Sequence, residues 1–187
     1  MTDQNVNTSA VQDDDDGLFE AAAETFPSKF HLKDRLVAIY PTGVTGQRLG
    51  ENGKPYTWYE TTTVVLDDGP NGWQAEVLDM DKGTMVANLV PSVAEEGPQV
   101  LANFQWSAGG IGARLASRLP KADGKPGSQV GRINSRPNAK KGMAPSWSIS
   151  TPTEADMTTA RQYADVCRAA RDEITKASQA AVDSDAF

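Results

Sequence analysis

One histidine, His31, and one cysteine, Cys167, stand in a chain of 187 residues. That scarcity removes the usual zinc constellations, thiol–imidazole nucleophile pairs and Ser–His–Asp chemistry together. A single cysteine also excludes an intramolecular disulfide and suits a reducing compartment. What remains for catalysis is carboxylate chemistry. Asp67, Asp68, Glu76, Asp79 and Asp81, followed by Lys82, have the composition of a site holding Mg²⁺ against a phosphate in a nuclease. However, Asp67 and Asp68 open the turn-forming run Asp-Asp-Gly-Pro-Asn-Gly, and Asp79 and Asp81 flank a predicted strand end. Both settings favour solvated turn residues over a metal site. Gly109-Gly110-Ile111-Gly112 precedes a predicted helix and resembles a phosphate cradle, but it lacks the Lys-Ser/Thr of a P-loop and the dinucleotide spacing. His31, beside a strand start, and Cys167, on a helix stripe, read as structural. The expectation is a non-enzymatic protein with no catalytic residues, no metal and no cofactor.

The residues that could bind rather than react are basic and aromatic. Arg114, Arg118, Lys121, Lys125, Arg132, Arg136, Lys140 and Lys141 face only one acid, Asp123, within the same stretch. Such a run can hold phosphates along a flexible loop, although a solvated surface segment has the same composition. Arg48 and Lys54 sit in a second Gly-rich stretch at 41–55, read as a mobile or ligand-gripping loop. Single-strand binding also needs aromatic faces on which bases stack. Of Tyr56, Trp58, Tyr59, Trp73, Phe104, Trp106 and Trp147, most must be core; Trp58, Tyr59 and Trp106 are the stacking candidates, the first two because neighbours on a strand face opposite ways.

The net charge of −7 argues against nucleic acid until its distribution is considered. Residues 1–28 hold seven acids and no base, residues 29–142 carry +3, and residues 143–187 carry −3. A basic body between acidic ends is therefore expected. The first segment also has few large apolar groups, so 1–27 reads as a disordered acidic arm. Neither an apolar run long enough to span a membrane nor a secretory leader is visible, so a cytoplasmic protein without membrane contact is expected.

A β-rich body must position these groups. Residues 30–40 carry apolar side chains on both parities, as for a strand covered on both sides, with Pro41 and the following glycines predicted to end it. Residues 56–66 are the clearest strand, with Tyr56, Trp58, Val64 and Leu66 on one face and Tyr59 and Val65 on the other. Further strands are expected at 73–78, at 99–106 with Val100, Ala102, Phe104 and Trp106 sharing a face, and at 130–134. Ile111, Leu115 and Leu119 line a short helix, with Arg114 and Arg118 together on another side. Thr151-Pro152-Thr153-Glu154 opens a terminal helix whose stripe is Met157, Ala160, Ala164, Cys167, Ala170, Ile174 and Ala177. The fold class is mainly β with helices: an OB-like Greek-key barrel at 28–150, then a C-terminal α-helix at 151–187 with a short acidic tip. An antiparallel sandwich has much the same signature.

Several segments also resemble single-stranded DNA-binding proteins of actinobacterial phages. They are 32–41 (LKDRLVAIYP), 61–69 (TTTVVLDDG), the strand at 100–106 leading to the helix at 114–119, Gly131-Arg132-Ile133, Pro145-Ser146-Trp147-Ser148-Ile149 and 151–156, covering most of 30–165. The resemblance implies an OB-type fold, largely sequence-independent binding of single-stranded DNA in phage replication or recombination, a place in the host cytoplasm, and no catalysis. The acidic ends could recruit replication or recombination proteins. Here, though, the dense acid run, Asp13 to Asp16, is N-terminal, and the C-terminal tip has only Asp183 and Asp185 before Phe187. The alternative is a phage structural or assembly protein whose β-domain is a protein-interaction module and whose C-terminal helix forms homo-oligomers.

Overall fold

The computed structural model describes residues 26–50, 53–107, 110–121, 123–138 and 145–184. Among these residues seven strands form two antiparallel sheets: β1 (Leu36–Leu49), β2 (Pro55–Val65), β5 (Gln99–Ser107), β6 (Gln129–Arg136) and β7 (Ser146–Ile149) make one, in the order β5-β2-β1-β6-β7, while β3 (Glu76–Asp79) and β4 (Thr84–Ala87) pair as a separate hairpin. Four α-helices accompany them: α1 (Val93–Glu96), α2 (Gly112–Ala116), α3 (Glu154–Gln162) and α4 (Ala164–Ser184). The fold is therefore mainly β with helices, and its larger sheet is open, with β5 and β7 at its edges.

Period-two alternation along β1 builds the core. Val37 and Ile39 point into a cluster with Val65, Phe104, Trp106, Ile111, Leu115, Ile133 and Ile149, whereas Leu36, Ala38 and Tyr40 point the other way, with Val64 and Leu66, against Ala170 and Ile174 of α4. Both faces of the central strand are thus covered, which is why it reads as a continuous apolar run. β2 divides as its alternation predicts, Val65 and Tyr59 to the first cluster and Val64 and Leu66 to the second.

Several local expectations are corrected. Residues 30–35 are not strand: Lys29–Leu32 forms a 3₁₀ turn and β1 starts at Leu36. β1 does not end at Pro41 but runs on to Leu49. The register against β2 shifts between Pro41 and Thr45, where Gly43 takes φ +97, a conformation glycine adopts without a Cβ penalty. The bulge absorbs the break that Pro41 and the glycines signalled, so most of the supposed loop is the arm of a long hairpin. In β5, Asn103 has φ 57 and the pairing with β2 shifts between Thr61 and Thr63. Face assignments therefore change along that strand: Val100 is exposed while Leu101 packs on the core beside Phe104 and Trp106. The strand expected at 73–78 begins only at Glu76, and Trp73 instead donates its indole N–H to the Val90 carbonyl at 2.9 Å.

The terminal helix is two helices meeting at Tyr163. Its cap is Thr153: Thr153 Oγ1 accepts the Asp156 amide, and the Asp156 carboxylate accepts the Thr153 amide in return. Asp156 also meets Arg132 of β6 at 2.7 Å, and Arg132 meets Asp67 at 2.7 Å. One guanidinium thus ties the helix start and the loop after β2 to the sheet. No helix among the described residues is long and apolar enough to cross a membrane.

Candidate binding cleft

A cleft of about 1080 Å³ opens between the two free edges of the larger sheet. One wall is β5, which lines it continuously from Leu101 to Ser107. Opposite lie Pro145, Ser146 and Trp147 of the β7 edge, with residues 26–30 beside them and Arg48, Tyr56 and Trp58 from the β1–β2 hairpin. Register explains the hairpin's part. Gly46 pairs with Trp58 and Arg48 with Tyr56, so all four share one face of the ribbon. A Cβ at Gly46 would stand only 2.5 Å from the Trp58 ring; the absence of that atom lets the indole lie across the backbone. The Arg48 guanidinium sits 5.6 Å from the centre of the same ring and donates to Gln105 of β5 at 2.9 Å. On the other side Lys29 lies 5.6 Å from the Trp147 ring centre and pairs with Asp81 at 3.2 Å. Each cation is close enough to interact with a ring face. Phe26, 72% exposed, adds a further ring at the rim.

Half-buried indoles flanked by cations suit a ligand that is planar in part and anionic in part. Aromatic faces supply dispersion and stacking, while Lys29 and Arg48 supply charge. Asp81, the one acid among the described lining residues, is already engaged by Lys29. The indole N–H of Trp147 is buried with no hydrogen-bond partner among the described residues.

The residues expected from sequence divide into three groups. Arg48 and Trp58 line the cleft, with Lys54 exposed nearby in the β1–β2 turn, where its carbonyl accepts the Gly50 amide. Tyr59 and Trp106 are drawn inward: Tyr59 packs against the core, and Trp106, 3% exposed, directs its indole N–H to Thr63 Oγ1. Trp106 is a buried wall of the cleft and offers no free ring face. The basic stretch is not gathered there. Arg114 and Arg118 are on and just after α2, Lys121 and Lys125 are exposed on the following loop, and Arg136 is exposed opposite Ser146 at the end of β6; none of them lines the cleft. Arg118 donates to the carbonyls of Arg114 and Ser128, each at 2.9 Å. Arg132 is withdrawn from ligand duty by Asp67 and Asp156, which outweigh its burial and raise its pKa. Lys140 lies outside the described residues.

Reasoning from sequence missed Phe26 and Lys29, which fall at the boundary of the acidic arm and carry no periodic signal, and placed Phe30 in a strand rather than in a cleft. Trp147 and Tyr56 were visible as aromatics but not as a pair across a cleft.

Of the acids considered for metal binding, Asp67, Asp68 and Asp79 are engaged by backbone amides, and Asp81 pairs with Lys29. Asp67 accepts the Leu36 and Gly69 amides. Asp68 accepts the Ser92 hydroxyl and the Val93 and Ala94 amides, capping α1, and lies 3.9 Å from Arg35. Burial alone would raise the Asp68 pKa, but these donors and the Arg35 charge outweigh it and hold the carboxyl below its usual range. Asp79 accepts the amides of Asp81 and Lys82 in the β3–β4 turn. No group of three metal-ligating side chains occurs among the described residues. His31 is buried between the Ser28 amide, which its Nδ1 accepts, and the Ala87 carbonyl; burial lowers its pKa.

No family model, curated protein or solved structure matches this chain.

Proposed function

We propose that the chain is a single-stranded DNA-binding protein that acts without catalysis and with little sequence preference, in phage replication or recombination. The observation that carries this reading is the cleft itself: indoles at Trp58 and Trp147, each with a cation near its ring, line one space of about 1080 Å³. Bases stack on aromatic faces regardless of identity, each contributing on the order of 1–3 kcal/mol, and cations answer the phosphates. A duplex hides its base faces, so this arrangement favours a single strand.

Topology supports the same reading. With the β3–β4 hairpin treated as an excursion, β6-β1-β2-β5 has the strand sequence of a Greek key, a fourth strand returning to lie beside the first. Adding β7 gives the order of a five-stranded barrel opened between its third and last strands. OB folds are partly open barrels of this kind and bind oligonucleotides on strands two and three and the adjoining loops; here those strands are β2 and β5.

The test is fluorescence anisotropy with labelled single- and double-stranded oligonucleotides at two salt concentrations, with tryptophan emission recorded in parallel. Expected are preference for the single strand, tryptophan quenching, and weakening with salt as counterions are released. Affinity that is insensitive to salt contradicts the reading. No binding to either oligonucleotide favours a phage assembly role instead.

A further inference from the structure

A second, smaller concavity of about 250 Å³ lies between the sheet and the two C-terminal helices. Arg161, Arg168 and Arg171 line it together with Tyr40, Ser128 and Cys167, and no carboxylate is among the lining residues. Burial pushes the Tyr40 hydroxyl and the Cys167 thiol upward in pKa, so neither adds negative charge near neutral pH. Three arginines therefore line a groove with no carboxylate among its described lining residues. Their carboxylate partners are outside it: Asp165 meets Arg168 at 2.8 Å and Asp172 meets Arg171 at 3.8 Å, all four side chains being substantially exposed. Exposed pairs of this kind contribute little to stability, so a carboxylate there is readily replaced by another anion.

The basic stretch that the cleft leaves out leads to this groove. Arg118 donates to the carbonyl of Ser128, a lining residue. Gly124, between Lys121 and Lys125, comes so close to α4 that a Cβ there would stand 3.5 Å from the Thr175 carbonyl oxygen, one turn beyond Arg171. The loop bearing Lys121 and Lys125 thus lies along the same helix.

We propose that this groove is a second anion site, taking a backbone phosphate of a nucleic-acid strand that continues beyond the aromatic cleft. This rests on the single-strand reading above. Arginine suits the role because its planar fork meets two phosphate oxygens at once. The groove is below the ~300–1000 Å³ of sites for drug-sized ligands, so it fits a phosphate group and its immediate esters, not a base.

The experiment compares wild type with the triple variant R161Q/R168Q/R171Q, using oligonucleotides of about 6 and about 20 nucleotides, within and beyond the span of one OB-type site. Expected is unchanged affinity for the short oligonucleotide and at least tenfold weaker binding of the long one. The salt slope for the long one should be shallower by about 0.7, because one phosphate fewer is neutralised. The single variants R161Q and R168Q keep the slope readable if the triple variant folds poorly. Equal losses at both lengths, or no change at either, overturn the proposal. So does a groove that serves free phosphate: millimolar inorganic phosphate would then raise the melting temperature of wild type but not of the triple variant, with affinity for the long oligonucleotide unaltered. Failure of wild type to bind either length instead overturns the cleft reading on which this one depends.

Discussion

Trp58 and Trp106 come from the same aromatic-rich part of the sequence but have opposite surroundings. Trp58 is half-buried at the cleft beside Arg48, whereas Trp106 is part of the core and hydrogen-bonded to Thr63. Replacing each by alanine should separate binding from stability. W58A is expected to leave the fold intact and weaken oligonucleotide binding about tenfold or more, the loss of one stacked base. W106A is expected to lose roughly 3–5 kcal/mol of stability, as for other large-to-small changes in a core. Anisotropy and urea denaturation on the same two preparations check both. A W106A protein of wild-type stability would show that the ring is not part of the core.

At the scale of elements, the junction of β6, the 67–69 loop and α3 is an electrostatic clasp. For Asp156, burial alone would raise the pKa; hydrogen bonds from Thr153 and the charge of Arg132 outweigh it, and the carboxyl is held below its usual range. A depressed carboxylate contributes stability in full above the unfolded value near ~3.9, and that contribution is lost as pH falls through the lower folded value. Asp68 behaves in the same way at the start of α1. His31 adds an earlier step: its folded pKa is also depressed, so its contribution is complete above ~6.5 and declines as pH drops below that. The melting temperature should therefore fall in two stages on acidification. Asp156→Asn should cost about 1–3 kcal/mol near neutral pH, from a cap and a charge-assisted hydrogen bond, and should flatten the lower stage. Calorimetry from pH 7 to pH 3 on wild type and variant is the check. The clasp also explains why Arg132, one of the bases in the phosphate-binding run, serves architecture.

For the whole molecule, the sheet is sandwiched: one core cluster lies under β5, α2 and β7, and the other under α4. Removing residues 154–187 should uncover Leu36, Ala38, Tyr40, Val64 and Leu66, cost on the order of 3 kcal/mol or more from lost apolar burial, and expose surface that binds a hydrophobic dye. A truncated protein as stable as the full chain would mean that α4 is only an appendage. The small residues of the stripe imply a weak hold, and only Ala170 and Ile174 of it are buried, but the Asp156–Arg132 pair adds a second attachment at the start of α3.

Whatever depends on local chemistry is legible in the order of the amino acids. Alternation identifies β2 and the two-sided burial of β1 because a strand's faces repeat every second residue; Ile111 and Leu115 mark α2 because four-residue spacing places them on one side of a helix; and the run of one-signed charge between Arg114 and Lys141 is plain in the composition. Whatever depends on distant segments meeting had to await the folded chain. The one-residue bulge at Asn103 moves the side chains beyond it to the other face, so the run Val100, Ala102, Phe104, Trp106 could not be assigned to one side from spacing alone. The cleft sets Trp147 across from β5, segments about forty residues apart that meet only because β5 and β7 are the sheet's two edges. For the same reason the aromatic residues and the loop bearing Lys121 and Lys125, read together in sequence, lie in two separate places: one at the open edge of the sheet and one along α4.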